Sequence, residues 1–107
     1  VTPSLIHGDL WSGNMATVST GAGSSAWSIL DPAPCYGHHE AEFGMSWCAG
    51  FSPGFWSGYR SVLPEAPGFE RRRPLYELYH ILNHAVLFGS GYPGQAEGLL
   101  RTLTREL

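Results

Sequence analysis

Asp9 and Asn14 stand five positions apart in the stretch Ile6-His7-Gly8-Asp9-Leu10-Trp11-Ser12-Gly13-Asn14, and a second acid, Asp31, follows further on. Two carboxylates and an amide offer oxygen donors, which is what Mg2+ prefers. Phosphoryl transfer from ATP asks little covalent chemistry of a protein. It needs a base beside the acceptor hydroxyl and oxygen ligands for the metal on the β- and γ-phosphates. Kinase-type catalytic loops supply an Asp, an Asn five residues later, and a further Asp beyond a hairpin. In that pattern Asp9 is the base, and Asn14 and Asp31 are the ligands of Mg2+–ATP. The bland alternative makes Asp9 and Asn14 turn formers and Asp31 the cap of a loop before Pro32. For one Asp the bland alternative would win; three residues in this order favour phosphoryl transfer.

The elements that must position these residues follow from the hydrophobic pattern. Ser4-Leu5-Ile6 is a short apolar run that predicts a buried strand feeding the His7-Gly8 loop. Residues 15–19 and 26–30 predict two strands, with Thr20-Gly21-Ala22-Gly23-Ser24-Ser25 as a long hairpin tip. The prolines of Asp31-Pro32-Ala33-Pro34-Cys35-Tyr36-Gly37 break regular structure. From Glu40 the character turns helical: 40–49 with Phe43, Trp47 and Cys48, then 53–63 with Phe55, Tyr59 and Val62. Over 75–88, Leu75, Leu78, Tyr79, Leu82 and Val86 form one helical stripe, and Tyr76 and Ile81 make the remaining face apolar, so the helix is expected to be enclosed. Ala96, Leu99, Leu100, Leu103 and Leu107 predict an amphipathic terminal helix, with Arg101 and Arg105 toward its C-terminus as the helix dipole prefers. The sum is a small β-hairpin unit, residues 1–35, followed by a helical body, 36–107: an α+β chain, mainly helical.

Three features compete for attention. Gly89-Ser90-Gly91-Tyr92-Pro93-Gly94 spells the glycine pattern of a nucleotide loop, but a helix precedes it and Pro93 has no N–H to offer a phosphate, so helix stop, turn and helix start explain it. His80 and His84 share a helix face, as His38 and Glu42 would, yet neither pair has a third metal ligand at matching spacing. Hydrogen bonds within the helical body are the expectation. Arg71-Arg72-Arg73 is a short charge run, expected on a solvated face, with Pro74 best placed in the first turn of the following helix.

Bulk properties bound the rest. The chain has 107 residues, enough for one domain, and its formal charge of −3 gives no electrostatic footprint for nucleic acid or an anionic membrane surface. All six basic residues are Arg, and the chain has no Lys. Four Trp, five Tyr and five Phe against only 14% charged residues leave much aromatic surface to hide, which points to a part of something larger. Cys35 and Cys48 form no CxxC pair, and two cysteines are few for a disulfide scaffold, so a reducing intracellular compartment is expected. Neither a signal peptide nor a membrane-spanning run is legible, and the start at Val1 without Met suggests a fragment or a processed end.

The stretch Leu5-Ile6-His7-Gly8-Asp9-Leu10-Trp11-Ser12-Gly13-Asn14 resembles the catalytic loop of the fructosamine kinase or ketosamine-3-kinase family, spelled HGDLW-x-GN. Related aminoglycoside and choline phosphotransferases share HGD and the later Asn, whereas Trp at position 11 marks the ketosamine kinases. The likeness continues through 31–45, 50–92 and 93–103, nearly the whole chain. The resemblance implies a protein-kinase-like fold and ATP-dependent phosphorylation of the sugar 3-hydroxyl of ketosamines on glycated protein, whose unstable product releases the free amine: deglycation repair. It implies Asp9 as catalytic base, Asn14 and Asp31 as Mg2+–ATP ligands, His7 and Gly8 as shapers of the loop, and Trp11 as an aromatic platform for substrate, with plain core packing as the indole's alternative role.

Two departures stand out. Glu42-Phe43-Gly44 replaces the family's Asp-Leu-Ala, so a longer side chain stands where a carboxylate often braces the catalytic loop. The glycine-rich loop and phosphate-binding Lys of an N-lobe are absent from a chain without Lys. The expectation is therefore the C-terminal lobe of such a kinase, inactive alone, with its exposed aromatic surface covered by an N-lobe or another protein. The alternatives are a non-catalytic binding module within an assembly and a related small-molecule phosphotransferase.

Overall fold

The computed structural model describes residues 1–105, so Leu107 of the expected terminal stripe lies outside the described residues. The chain is α+β and mainly helical. Strand β1 (Ser4–Ile6) leads through the His7–Asn14 loop, which ends in a 3-10 turn (Ser12–Asn14), into the hairpin β2 (Met15–Gly21) and β3 (Ser24–Ile29). Strand β4 (Cys35–Gly37), a 3-10 segment (His39–Met45) and helices α1 (Ser46–Ala49), α2 (Pro53–Val62), α3 (Phe69–Phe88) and α4 (Tyr92–Arg105) complete it. Among the described residues there are two antiparallel pairs: β1 with β4, Leu5 opposite Tyr36, and β2 with β3, Thr17 opposite Trp27.

The β-hairpin differs from expectation at its tip. Its strands run through most of the Gly/Ser cluster and leave only Ala22-Gly23 as the loop, both at positive φ (50° and 77°). That is the geometry whose twist matches the flanking strands. An irregularity between Ser19 and Gly21 takes up the odd residue. The prolines at 32 and 34 do not exclude a strand either: β4 begins immediately after them and pairs along β1. Of β1 itself only Ile6 is buried, while Leu5 faces out.

Residues expected as a helix over 40–49 instead form the 3-10 segment, kinked at Phe43 (φ −95°, ψ 17°), and a single α turn. Tertiary ties override helix propensity here: His38 reaches the Tyr76 hydroxyl (2.8 Å), His39 the Tyr59 hydroxyl (3.2 Å), and Glu40 the Arg72 guanidinium. Phe43, fully buried, is the centre of the core, ringed by Phe51, Phe55, Trp56, Tyr59 and Phe69 with centroids 4.7–6.4 Å away. Most of these contacts are edge-to-face, which the ring quadrupoles favour. The Arg60 guanidinium lies 4.9 Å from the Phe69 centroid and 5.5 Å from those of Trp56 and Tyr59, a cation held by rings.

Helix α2 starts where Ser52 accepts the Phe55 N–H (3.1 Å) and Pro53 takes the first helical position. Helix α3 begins earlier than expected, at Phe69, so Pro74 sits inside it rather than in its first turn. Burial of Phe69 in the core, at 2% exposure, extends the helix N-terminally past the proline. The expected enclosure of α3 is corrected as well. Ile81 is fully buried, but Leu75, Tyr79, Leu82 and Val86 are 45–85% exposed. Periodicity identified the face; among the described residues nothing covers it. Gly89 closes α3 and α4 opens at Tyr92, so the glycine-rich stretch is a helix-to-helix turn. Among the described residues no helix is long and apolar enough to cross a membrane.

Candidate functional site

The His7–Asn14 loop is built largely from backbone bonds, and its sequence explains why. Gly8 has φ +91°, and a Cβ there would run into the Ala33 carbonyl oxygen, so only glycine lets the two segments approach. The Ala33 N–H donates to the His7 carbonyl (2.8 Å). His7, buried, holds both ends of the loop: its Nε2 lies 2.7 Å from the Leu30 carbonyl and its Nδ1 3.2 Å from the Asp9 N–H. A carbonyl can only accept, so Nε2 carries the hydrogen and Nδ1 accepts from Asp9. One imidazole thereby couples the Asp9 backbone to the residue that precedes Asp31.

Asp9 and Asn14 meet directly. The buried Asn14 Nδ2 donates to the Asp9 carbonyl (2.9 Å) and to its carboxylate Oδ2 (3.2 Å). With its N–H groups committed to Asp9, Asn14 leaves Oδ1 as its donor to a cation. Asp31 joins through the backbone: the Leu30 N–H donates to the Asn14 carbonyl (2.8 Å), and Asp31 follows it at φ 53° with an exposed carboxylate. That left-handed conformation is uncommon outside glycine and better tolerated by Asp than by most residues. The oxygen-only character of Asn14 Oδ1 and the Asp31 carboxylate fits Mg2+.

Glu42 is the brace. Its Oε2 accepts the His7 N–H at 2.6 Å and its Oε1 the Gly8 N–H at 3.1 Å. The extra methylene relative to Asp does not prevent the contact. Trp11 is 37% exposed and its indole folds back against Gly13, where a Cβ would overlap the ring.

Sequence reasoning missed the surroundings of Asp9. Burial, followed by the negative charge of Asp9, pushes the Cys48 thiol up. Burial pushes His80 below the ordinary histidine range, against the opposing pull of Asp9 and Glu42. Both approach Asp9 through tertiary packing, and no local motif marks them. His84 Nδ1 lies 2.6 Å from the His80 carbonyl, an intrahelical bond of the kind expected for this pair. The Arg run is corrected at one position. Arg72 grips the fully buried Glu40 through Nη2 (2.7 Å to Oε1) and Nε (2.8 Å to Oε2). That contact, rather than solvation, governs it. His38, His39 and Glu40 lie close enough together to suggest a metal cluster. However, Glu40 has both oxygens on a guanidinium, a poor neighbour for a cation.

The fructosamine kinase family profile matches residues 1–106. A chloroplastic protein-ribulosamine 3-kinase of Oryza sativa subsp. japonica is 56% identical over 98% of this chain and 30% of its own length. The ketosamine-3-kinase of Mus musculus is 46% identical over 98% of this chain and 33% of its own. The backbone superposes with a TM-score of 0.80 on a crystal structure assigned as a fructosamine-3-kinase from Thermobifida fusca, at 34% identity over 96% of this chain and 35% of that one. The chain thus spans about a third of the length of the relatives it matches. With the HGDLW-x-GN loop folded around an Asp9–Asn14 contact, and with that match over nearly every residue, the chain belongs to the fructosamine kinase family.

Proposed function

We propose that residues 1–107 form the C-terminal lobe of an ATP-dependent ketosamine 3-kinase, an intracellular protein repair enzyme. Residues 1–35 carry the catalytic loop, hairpin and metal-binding loop, and 36–107 the supporting helical body. The carrying observation is the Asn14 amide clamped on both the carbonyl and the carboxylate of Asp9. It orients one carboxylate oxygen and leaves the other to accept a proton.

In this reading Asp9 takes the proton of the sugar 3-hydroxyl as that oxygen attacks the γ-phosphorus of ATP. Asn14 Oδ1 and the Asp31 carboxylate would hold Mg2+, which offsets charge on the phosphates when bound. The Glu42 brace and the His7 bridge keep the base in place, so little reorganisation is needed on substrate binding. Trp11, backed by Gly13 and open on its other side, serves as the platform against which the ketosamine of a glycated protein or small amine rests. The apolar stripe Leu75, Tyr79, Leu82 and Val86 is where the remainder of the kinase, or another protein, packs. No role for nucleic acid or membrane is assigned.

The test is phosphorylation of a fructosamine or ribulosamine by the lobe joined to a family N-lobe, with Asp9→Asn as control. Turnover lost in the variant supports the assignment; turnover retained removes it. The exposed stripe favours a second reading, a non-catalytic module held in an assembly. Absence of turnover in the complete two-lobe protein, with stable partner binding through α3, would select that reading.

A further inference from the structure

We propose that Arg72 is a positioning residue for the catalytic loop, acting on Asp9 through Glu40 and Glu42; the inference rests on the kinase reading above. Glu40 has no exposed surface, and its carboxylate is fully engaged by the Arg72 fork. The third guanidinium nitrogen, Nη1, donates to the Pro67 carbonyl at 2.9 Å, ahead of α3. A buried carboxylate is tolerated only where its partner sits, so Arg72 dictates where Glu40 lies. A bidentate pair fixes direction as well as distance.

Two residues on, in the same 3-10 segment, Glu42 holds the His7 and Gly8 amides, the two that immediately precede Asp9. The segment has little room to move between these ties. His38 is bonded to Tyr76 of α3, His39 to Tyr59 of α2, and Gly44 lies against the His80 ring and the Tyr76 carbonyl oxygen. Helix α3 thus reaches the catalytic loop by a chain of directional contacts: Arg72 to Glu40, Glu40 along the backbone to Glu42, Glu42 to His7 and Gly8. An apolar pair at 40 and 72 could fill the space without setting the register of Glu42.

The test combines amide hydrogen exchange with kinetics in the lobe joined to its N-lobe, comparing Arg72→Met and Arg72→Lys with the parent. The expected result is exchange at the His7 and Gly8 amides faster by ~10-fold or more in Arg72→Met, with α4 amides unchanged. Arg72→Lys, which keeps the charge and loses the fork, should fall between and serves if the Met variant does not fold. Turnover should drop ~10-fold with KM for ATP and ketosamine within ~2-fold, as displacement of a reacting group predicts. In a Glu42→Gln background the Arg72→Met effect on kcat should shrink to ~3-fold or less, because both changes act on one path. Unchanged exchange at His7 and Gly8, exchange raised equally throughout, or full additivity with Glu42→Gln would overturn the proposal. Exchange needs no substrate: a localised rise in a parent that phosphorylates no ketosamine would sink the kinase reading and retain the linkage.

Discussion

The indole of Trp11 rests on the backbone of Gly13, two residues ahead of it, so closely that no Cβ fits between them. The contact ties the Trp and the Gly of the HGDLW-x-GN loop into one unit, with the indole still partly exposed. If the proposed platform role holds, Gly13→Ala should displace the ring and impair ketosamine turnover more than use of Mg2+–ATP. Trp11→Leu should lower turnover ~10-fold while ATP affinity by calorimetry holds, the split expected for a residue that contacts only the acceptor. Leu covers much of the surface the partly buried indole covers, so the difference in buried apolar area is worth only about 1–2 kcal/mol and the melting point should fall by no more than a few degrees. A large drop in melting point with no selective kinetic effect would assign Trp11 to packing instead.

Asp9→Asn should cut phosphorylation by ~10²-fold or more, the order of a lost base. Asn14→Ala and Asp31→Ala should weaken use of Mg2+–ATP more than affinity for the ketosamine. Asn14→Asp should be worse than its size suggests, because it sets a second negative charge where an amide nitrogen now lies 3.2 Å from the Asp9 carboxylate. Titration with Mg2+ at fixed ATP separates these effects.

Glu42→Ala should leave the His7 and Gly8 N–H groups without their acceptor. An unmade bond to a buried backbone donor costs about 1–3 kcal/mol, so the melting point should fall by several degrees. Glu42→Gln retains an acceptor oxygen and should recover part of that loss. Thermal unfolding of the two variants side by side decides it.

Acid should destabilise the fold in two steps. Burial lowers the pKa of His80 and of His39, with the neighbouring His38 charge adding to the effect at His39. A histidine that binds its proton less readily when folded loses stability as pH falls through its unfolded value, about 6.5. Unfolding midpoints should therefore decline from pH 7 toward 5.5, less steeply in His80→Gln. Glu40, held low chiefly by its hydrogen bonds to Arg72, adds a second step. Its contribution is complete above the ordinary glutamate pKa of about 4.3 and is lost as pH falls below it. Midpoints in urea across pH 3 to 8 would resolve both steps, and a flat profile between 7 and 5.5 would contradict the first.

Expressed without an N-lobe, the chain should neither bind ATP tightly nor turn over ketosamine. On the proposed reading it would supply oxygen ligands and a base, but it has no Lys to offset triphosphate charge. Leu75, Tyr79 and Val86, more than half exposed on one helix face, should promote self-association or partner binding. Light scattering and calorimetry check both halves, and a monodisperse monomer with micromolar ATP affinity would count against them.

The geometry of the His7–Asn14 loop was legible in the sequence because its logic is local. Asp9 and Asn14 meet across five residues, Gly8 and Gly13 stand where backbone or ring comes too close for a side chain, and Gly23 helps turn the hairpin. Helix periods likewise identified which residues of α3 share a face. Tertiary structure alone decided what holds that loop, and that the α3 face stays exposed among the described residues. Glu42 and His7 lie 35 positions apart and Arg72 and Glu40 32, and no periodicity links residues so distant. The Arg72 side chain reads as surface charge until a buried carboxylate is brought to it. Residues 40–49 read as a helix until His38, His39, Glu40 and Glu42 are drawn to partners on α2, α3 and the loop, which hold 39–45 as a 3-10 run. Periodicity reports which side chains turn together; only the packed chain determines which of them find a partner.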